Sequence, residues 1–247
     1  MAHALLFSVS RIARIVLEGI PYHITQRGNG RQRVFLDAGD YGLYLDLLRL
    51  QAEQSGLSIW AYCLMPNHVH LIGVPLKPGA LAASVGRLHA AYAQHFNLRN
   101  RASGHVWQAR YFSCPIAGAH LWRALAYVER NPLRAALVDY AENYKWSSAP
   151  ARLGLAVDRV GLDLSTWRQE YTSERWRGVL RSSVDEEHFG QRLQEAARRG
   201  RPLGDEKFVE ELERRTGRRL RPFAPGRPRN PGTVHSNTVS SFLPWAD

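Results

Sequence analysis

Cysteine, lysine and long apolar runs are all scarce in this chain, and each scarcity removes a class of protein. Two cysteines, Cys63 and Cys114, cannot build a disulfide framework. Free thiols in a reducing compartment are the simpler expectation, which places the protein in the cytoplasm. No apolar stretch approaches the ~18–20 residues of a membrane span, so no membrane partner is expected. The opening segment MAHALLFSVSRIAR has neither a basic stretch ahead of its apolar residues nor a clear cleavage site, and no signal peptide is expected there. Lysine is rarer still relative to its usual share. Lys77, Lys145 and Lys207 stand alone among 33 basic residues, the rest being arginine.

Positive charge is what the chain has in excess. A net charge of +11 favours a polyanionic partner, most often nucleic acid. Arginine reads phosphate and guanine better than lysine, but the base composition of a gene accounts for arginine bias equally well, so the net charge carries the argument. A hydrophobic content of 45% over 247 residues supports a real core, as one domain with an appendage or as two small domains.

The pattern along the chain predicts an α+β fold. Residues 14–28 (RIVLEGIPYHITQRG) read as a strand-rich run closed by the turn pair Asn29-Gly30. Asp37 to Gln54 carries Tyr41, Tyr44, Leu45 and Leu48 at helical spacing, with Gly56 as its C-cap. Leu57–Met65 and His68–Val74 read as strands joined by the turn Pro66-Asn67. A helix follows from about Ala80 to Leu98, then a polar loop over Arg99–Gly104. The strand-like RYFSCPI comes next, then a helix interrupted at Asn131-Pro132 and resuming through Leu137. Strand–helix–strand–strand–helix–strand is the ferredoxin-like split βαβ order, with an additional helix beyond it. Such a fold packs two helices on one sheet face and leaves the other for a ligand or a further element. Residues 158–190, with Trp167, Tyr171, Trp176 and Phe189, read as a helical extension. From Arg192 to Arg229 there are 12 basic and 6 acidic residues, with one apolar stripe at Phe208, Val209 and Leu212. Pro222 to Pro231 suits neither a helix nor a central strand and reads as an extended basic tail.

Within this frame the most informative stretch is Pro66-Asn67-His68-Val69-His70. Two histidines one residue apart on a strand face the same way, and two neighbouring imidazoles on a rigid surface make half of a metal site. Chance supplies such a triplet roughly 0.2 times per chain of this composition, so the motif needs support from elsewhere. An ion held by two neutral imidazoles keeps most of its charge, which suits an anionic substrate such as a phosphodiester. In LWRALAYVERNPLRAALV, Tyr127 and Asn131 are four residues apart and share a helix face. A tyrosine attacking DNA would split strand transfer into two steps through a covalent phosphotyrosine. Two blander readings stand beside this one. Tyr127 fits an ordinary amphipathic helix, and Asn131-Pro132 fits the N-cap and first position of a new helix.

Three blocks in order, PNHVHLIG, GHVWQARYFSCPI and HLWRALAYVERNPLRAALV, resemble the single-tyrosine HUH transposases, and among them the REP-associated tyrosine transposases. The resemblance covers about residues 10–150. It implies a ferredoxin-like catalytic domain that cuts and rejoins single-stranded DNA beside small palindromic hairpins. It implies Mg²⁺ or Mn²⁺ as cofactor, and a 5′-phosphotyrosine intermediate with a free 3′-hydroxyl. On this resemblance His68 and His70 match the metal-binding histidines and Tyr127 the nucleophile. Asn131 falls where the wider family has a metal-binding glutamine. Trp107 and Gln108 are expected in packing and polar anchoring, and Tyr111 is the second choice of nucleophile, in a strand and without an NP block. Residues 151–190 would be a helical extension and 191–247 a basic extension that resembles the tail of longer members. Its Pro225-Gly226-Arg227-Pro228-Arg229 is similar to an AT-hook core, in which arginine enters a narrow minor groove. Arg27, Arg110, Arg227 and Arg229 are the candidate DNA contacts, single-stranded hairpin DNA the expected partner, and a homodimer a possible assembly. Two other functions compete: a DNA-binding regulator derived from a transposase, and a metal-dependent hydrolase using water. Cys63 gives only a weak zinc signal, having no Cys-x-x-Cys partner.

Overall fold

The computed structural model describes residues 14–182 and 186–221. Its centre is a four-stranded antiparallel sheet of β1 (Tyr22–Arg27), β2 (Leu57–Met65), β3 (His68–Pro75) and β4 (Phe112–Pro115), ordered β2-β3-β1-β4. With α1 (Ala38–Ser55) between β1 and β2, and α2 (Ala80–Arg99) between β3 and β4, this is the ferredoxin-like arrangement. The first strand is shorter than its hydrophobic pattern implies: Ile15, Val16 and Leu17 stay outside the sheet. Ile15 packs instead with Leu212 and Leu220 in a small separate cluster.

Local chemistry explains the helix limits. Asp37 caps α1 by accepting from the amide of Gly39 at 2.9 Å, and Gly56 ends it in the left-handed region at φ 73°. β2 and β3 form a hairpin whose Pro66-Asn67 turn is tied down from outside. Val34 N–H donates to Pro66 O at 2.8 Å and Gly28 N–H to Asn67 O at 2.9 Å.

A bulge at Trp60 decides which side chains face which layer. The pairing shifts between Ile59 and Ala61. Leu57, Ile59, Tyr62 and Leu64 therefore join Val69 and Leu71 against α1 and α2. Ala61, Cys63 and Met65 face the other way with Ile72. That second face is covered, not open. It carries α3 (Ala119–Arg134) and, further along the chain, α6 (Ser173–Arg181) and α7 (Glu186–Arg199). Short helices α4 (Ala149–Arg152) and α5 (Ser165–Glu170) lead into α6, and α8 (Glu206–Thr216) carries Leu212 of the predicted apolar stripe. Both outer strands are shielded as well: Ser148 N–H reaches Tyr62 O on β2, and Leu203 N–H reaches Pro115 O on β4, each at 2.9 Å.

One expected break does not occur. α3 runs unbroken through Asn131 and Pro132, which are buried in its last turns. Proline lacks the N–H that Val128 O would accept. The Asn131 amide compensates, with Nδ2 donating to Tyr127 O at 2.8 Å and Val128 O at 3.4 Å. The helix does not resume through Leu137. It closes at Ala136, φ 51°, with Leu137 N–H bonded to Pro132 O. Among the described residues no helix is long and apolar enough to cross a membrane. The AT-hook-like core, with Arg227 and Arg229, lies outside the described residues.

Candidate functional site

Strand register assembles the site. His70 pairs with Thr25 of β1 and Cys63 of β2, and His68 pairs with Arg27 and Met65. Residues opposite one another point to the same face, so His68, His70, Arg27 and Cys63 all lie on the face under α3. The two imidazole centroids are 5.0 Å apart, with planes at 81°.

Each histidine has one ring nitrogen already engaged. His68 Nδ1–H donates to Asn67 Oδ1 at 2.6 Å, and Asn67 is itself held through Nδ2 to Arg31 O at 3.2 Å. Nε2 of His68 thus keeps its lone pair for an ion. His70 Nδ1 lies 2.9 Å from His23 Nε2, and the two rings stack at 5.2 Å. When His70 Nδ1 is the donor, its Nε2 is likewise a lone pair, and His23 serves as the acceptor behind it. His23 Nδ1 is buried and has no hydrogen-bond partner.

Burial keeps these rings neutral. The His68 pKa is pushed down to about 4, by desolvation first and then by the charges of Arg27 and Arg134. His70 lies well below its ordinary value, through desolvation and then its neighbours His68, His23, Arg27 and Arg134. Neutral imidazoles are what metal binding requires.

Tyr127 projects from α3 onto the same cluster. Its ring stands edge-on to His70, centroids 5.8 Å apart at 85°, and to His23 at 6.5 Å and 88°. The residue is 1% exposed. Arg134, three residues beyond Asn131, lays its guanidinium 4.5 Å from the ring centroid. The hydroxyl accepts from Gln194 Nε2 at 2.7 Å.

The other sequence candidates divide clearly. Tyr111 belongs to the core beneath α1 and α2, on the opposite side of the sheet, with Arg14 over its ring at 3.7 Å. Trp107 packs as expected and donates Nε1 to His89 O at 2.9 Å. Gln108 anchors through its backbone, its N–H reaching Arg27 O at 2.9 Å. Arg27 is half-buried beside His68, whereas Arg110 is exposed and lines a cavity of about 600 Å³ between α2 and residues 104–111. Cys63 is nearer His70 than its position before the turn suggested, being its direct pairing partner. It is fully buried, and burial holds its thiol well above the ordinary range.

Asn67 and His23 are the contributors that sequence reasoning missed. Asn67 read as a turn residue, and only the His68 contact reveals its second role. His23 sits in the strand YHITQR with no spacing that links it to His70, because β1–β3 register is a non-local property.

Among the described residues no group of three or more His, Cys, Asp or Glu side chains could hold a metal. The His68–His70 pair alone is an open set that leaves positions for further donors, and Asn131 is engaged through Nδ2 with the helix carbonyls of Tyr127 and Val128. Residues 16–131 match the family model described as transposase IS200-like. This region is similar to an IS200-like transposase domain. No curated protein matches the sequence. The solved structure of a REP-associated tyrosine transposase bound to a REP hairpin is similar in fold, with a TM-score of 0.50 and 18% identity. That match covers 63% of this chain and 95% of the other. A candidate transposase from Deinococcus radiodurans R1 shares 23% identity over 54% of this chain and 97% of its own, at a TM-score of 0.35.

Proposed function

We propose that this domain cleaves and rejoins single-stranded DNA at hairpin ends, with Tyr127 as nucleophile and a divalent ion held by His68 and His70. One observation carries this reading. A buried phenol stands edge-on to His70, one of a neutral His68–His70 pair whose Nε2 atoms are free to ligate, on one sheet face flanked by Arg27 and Arg134. The hairpin substrate follows from the fold neighbour, which is bound to one.

Each residue then has a stated task. Tyr127 Oη attacks phosphorus; the P–O3′ bond breaks, the 3′-oxygen takes up a proton, and the phenol proton is lost. A 5′-phosphotyrosine and a free 3′-hydroxyl result, and attack by a 3′-hydroxyl on the phosphotyrosine reverses the exchange with no net loss of phosphodiester bonds. A bound Mg²⁺ or Mn²⁺ would supply Lewis-acid polarisation of the phosphoryl oxygens. Mn²⁺ suits a partly nitrogen donor set better than Mg²⁺, which prefers oxygen. Asn67 and His23 hold the two rings, Arg27 and Arg134 favour the anionic substrate, and Asn131 is the third donor through Oδ1, its Nδ2 being engaged by the helix backbone.

The test is an adduct assay. Labelled single-stranded hairpin DNA, incubated with the full chain and Mn²⁺, should give a protein–DNA species that survives denaturation. It should vanish in Tyr127→Phe and in His70→Ala. Cleavage without an adduct would assign the chemistry to water, and binding without cleavage would assign the chain to the DNA-binding regulators.

A further inference from the structure

The nucleophile's surroundings are not complete within the region that matches the family model. Tyr127 lies inside residues 16–131, yet two of its closest contacts come from α7, more than fifty residues further on. α7 is anchored by Phe189, Leu193 and Ala197, spaced four apart and buried against the α3 side of the sheet. Phe189 is held in turn by the guanidinium of Arg123, 4.3 Å from its ring centroid, and by stacking with His120. This anchoring turns the next column of the helix, Gly190 and Gln194, toward the phenol.

Both residues meet Tyr127 directly. A Cβ at position 190 would lie 2.5 Å from Tyr127 Cε2 and 3.3 Å from both Cδ2 and Cζ. The helix backbone is therefore pressed directly against the ring. Glycine within a helix costs about 1 kcal/mol relative to alanine, so a glycine here needs a reason, and the ring is that reason. One turn on, Gln194 donates Nε2–H to the hydroxyl at 2.7 Å while remaining exposed itself. The hydroxyl of a side chain that is 1% exposed thus lies one side chain away from solvent.

We infer that Gly190 and Gln194 are positioning residues for the nucleophile, so that the C-terminal extension completes the active site. Gly190 sets how close the ring lies to α7, and Gln194 fixes the hydroxyl by donating to it. An amide donor leaves the phenol its own proton and one lone pair. It also supports negative charge on the oxygen when tyrosine is the leaving group in rejoining. The inference rests on Tyr127 being the nucleophile.

The experiment uses the full chain, hairpin DNA and Mn²⁺, and measures adduct formation at saturating DNA beside hairpin affinity and thermal melting. Gln194→Leu removes the hydrogen bond, and Gln194→Glu keeps the size of the side chain while removing the donated N–H. Each should slow adduct formation about tenfold or more, with hairpin affinity and melting temperature unchanged. Gly190→Ala should slow it by at least as much, and where that variant does not fold, the two Gln194 variants decide. A Gln194→Leu or Gln194→Glu rate equal to or above wild type would overturn the positioning role alone; a faster rate would make α7 a restraint. A wild-type chain giving no Tyr127-dependent adduct would overturn the proposed chemistry, and the positioning role with it.

Discussion

Two buried polar groups sit two residues apart on α3 and are treated in opposite ways. Glu129 is fully buried, and its carboxylate is saturated. Oε1 accepts from Ser148 Oγ at 2.5 Å and Arg152 Nε at 2.8 Å, and Oε2 accepts from Trp176 Nε1 at 2.8 Å. These donors come from α4 with the residue before it and from α6, so one carboxylate ties two pieces of chain to α3. The cluster at Tyr127 is equally dry but unsaturated. His23 Nδ1 has no partner, and His68 and His70 each hold one ring nitrogen in reserve. A buried carboxylate with both oxygens engaged by donors is a structural joint, whereas buried rings with spare lone pairs form a site awaiting something.

The sharpest way to break this contrast is to remove the saturated member. Glu129→Ala leaves the Arg152 guanidinium buried without its counter-charge and orphans the Ser148 and Trp176 donors. The cost should be about 3–5 kcal/mol, read as a loss of stability in urea denaturation. Such a variant should bind Mn²⁺ with unchanged affinity under conditions where it remains folded. Loss of metal binding with little loss of stability would show that the two groups are not the separate devices their hydrogen bonding indicates.

The unsaturated member should respond in the reverse sense. His23→Leu removes the partner of His70 Nδ1 and also an orphaned buried nitrogen. Mn²⁺ affinity measured by calorimetry should fall about 10–100-fold, the usual cost of losing a partner behind a metal-bound histidine. Folding stability should change by no more than about 1–2 kcal/mol, since one orphaned nitrogen leaves the interior while His70 Nδ1 loses its partner. A variant that loses several kcal/mol of stability and binds Mn²⁺ like wild type would place His23 with Glu129 as a structural joint.

How far the sequence discloses this contrast depends on the range of the forces involved. α1, the β2–β3 hairpin and α2 follow from local terms: helical spacing of Tyr41, Tyr44 and Leu48, the Asp37 cap, the Gly56 stop and the Pro66-Asn67 turn. The His68–His70 pair was equally legible, because a period of two needs no tertiary knowledge. The proposed break at Asn131-Pro132 fails because the pre-proline preference is a modest local cost. Burial of α3 on the sheet and the Asn131 amide on the helix carbonyls override it. His23, Gly190 and Gln194 were invisible for the opposite reason. Each acts through a partner tens of residues away, and nothing in the local pattern records which strand or helix will arrive opposite. Cys63 shows the same limit, since a bulge at Trp60 determines that it faces His70 at all.

The smallest expected effect serves as the control that separates stability from chemistry on the same helix. α3 ends with Ala136 in the left-handed region, φ 51°, where Leu137 N–H closes back onto Pro132 O and Ala136 N–H onto Leu133 O. Alanine is strained there because its Cβ crowds the backbone, and glycine is not. The Ala136 side chain is exposed, so removing its methyl group forfeits no core packing. Ala136→Gly relieves the strain and meets a smaller opposing cost, the greater freedom of glycine in the unfolded chain. A net gain of about 0.5–1 kcal/mol should appear in the urea midpoint. Mn²⁺ affinity and the Tyr127 adduct should not change, since the substitution lies beyond both Glu129 and the histidine cluster. An altered adduct rate in a stabilised Ala136→Gly protein would mean that the end of α3, through Arg134 two residues earlier, sets the pose of the phenol and not only its anchorage.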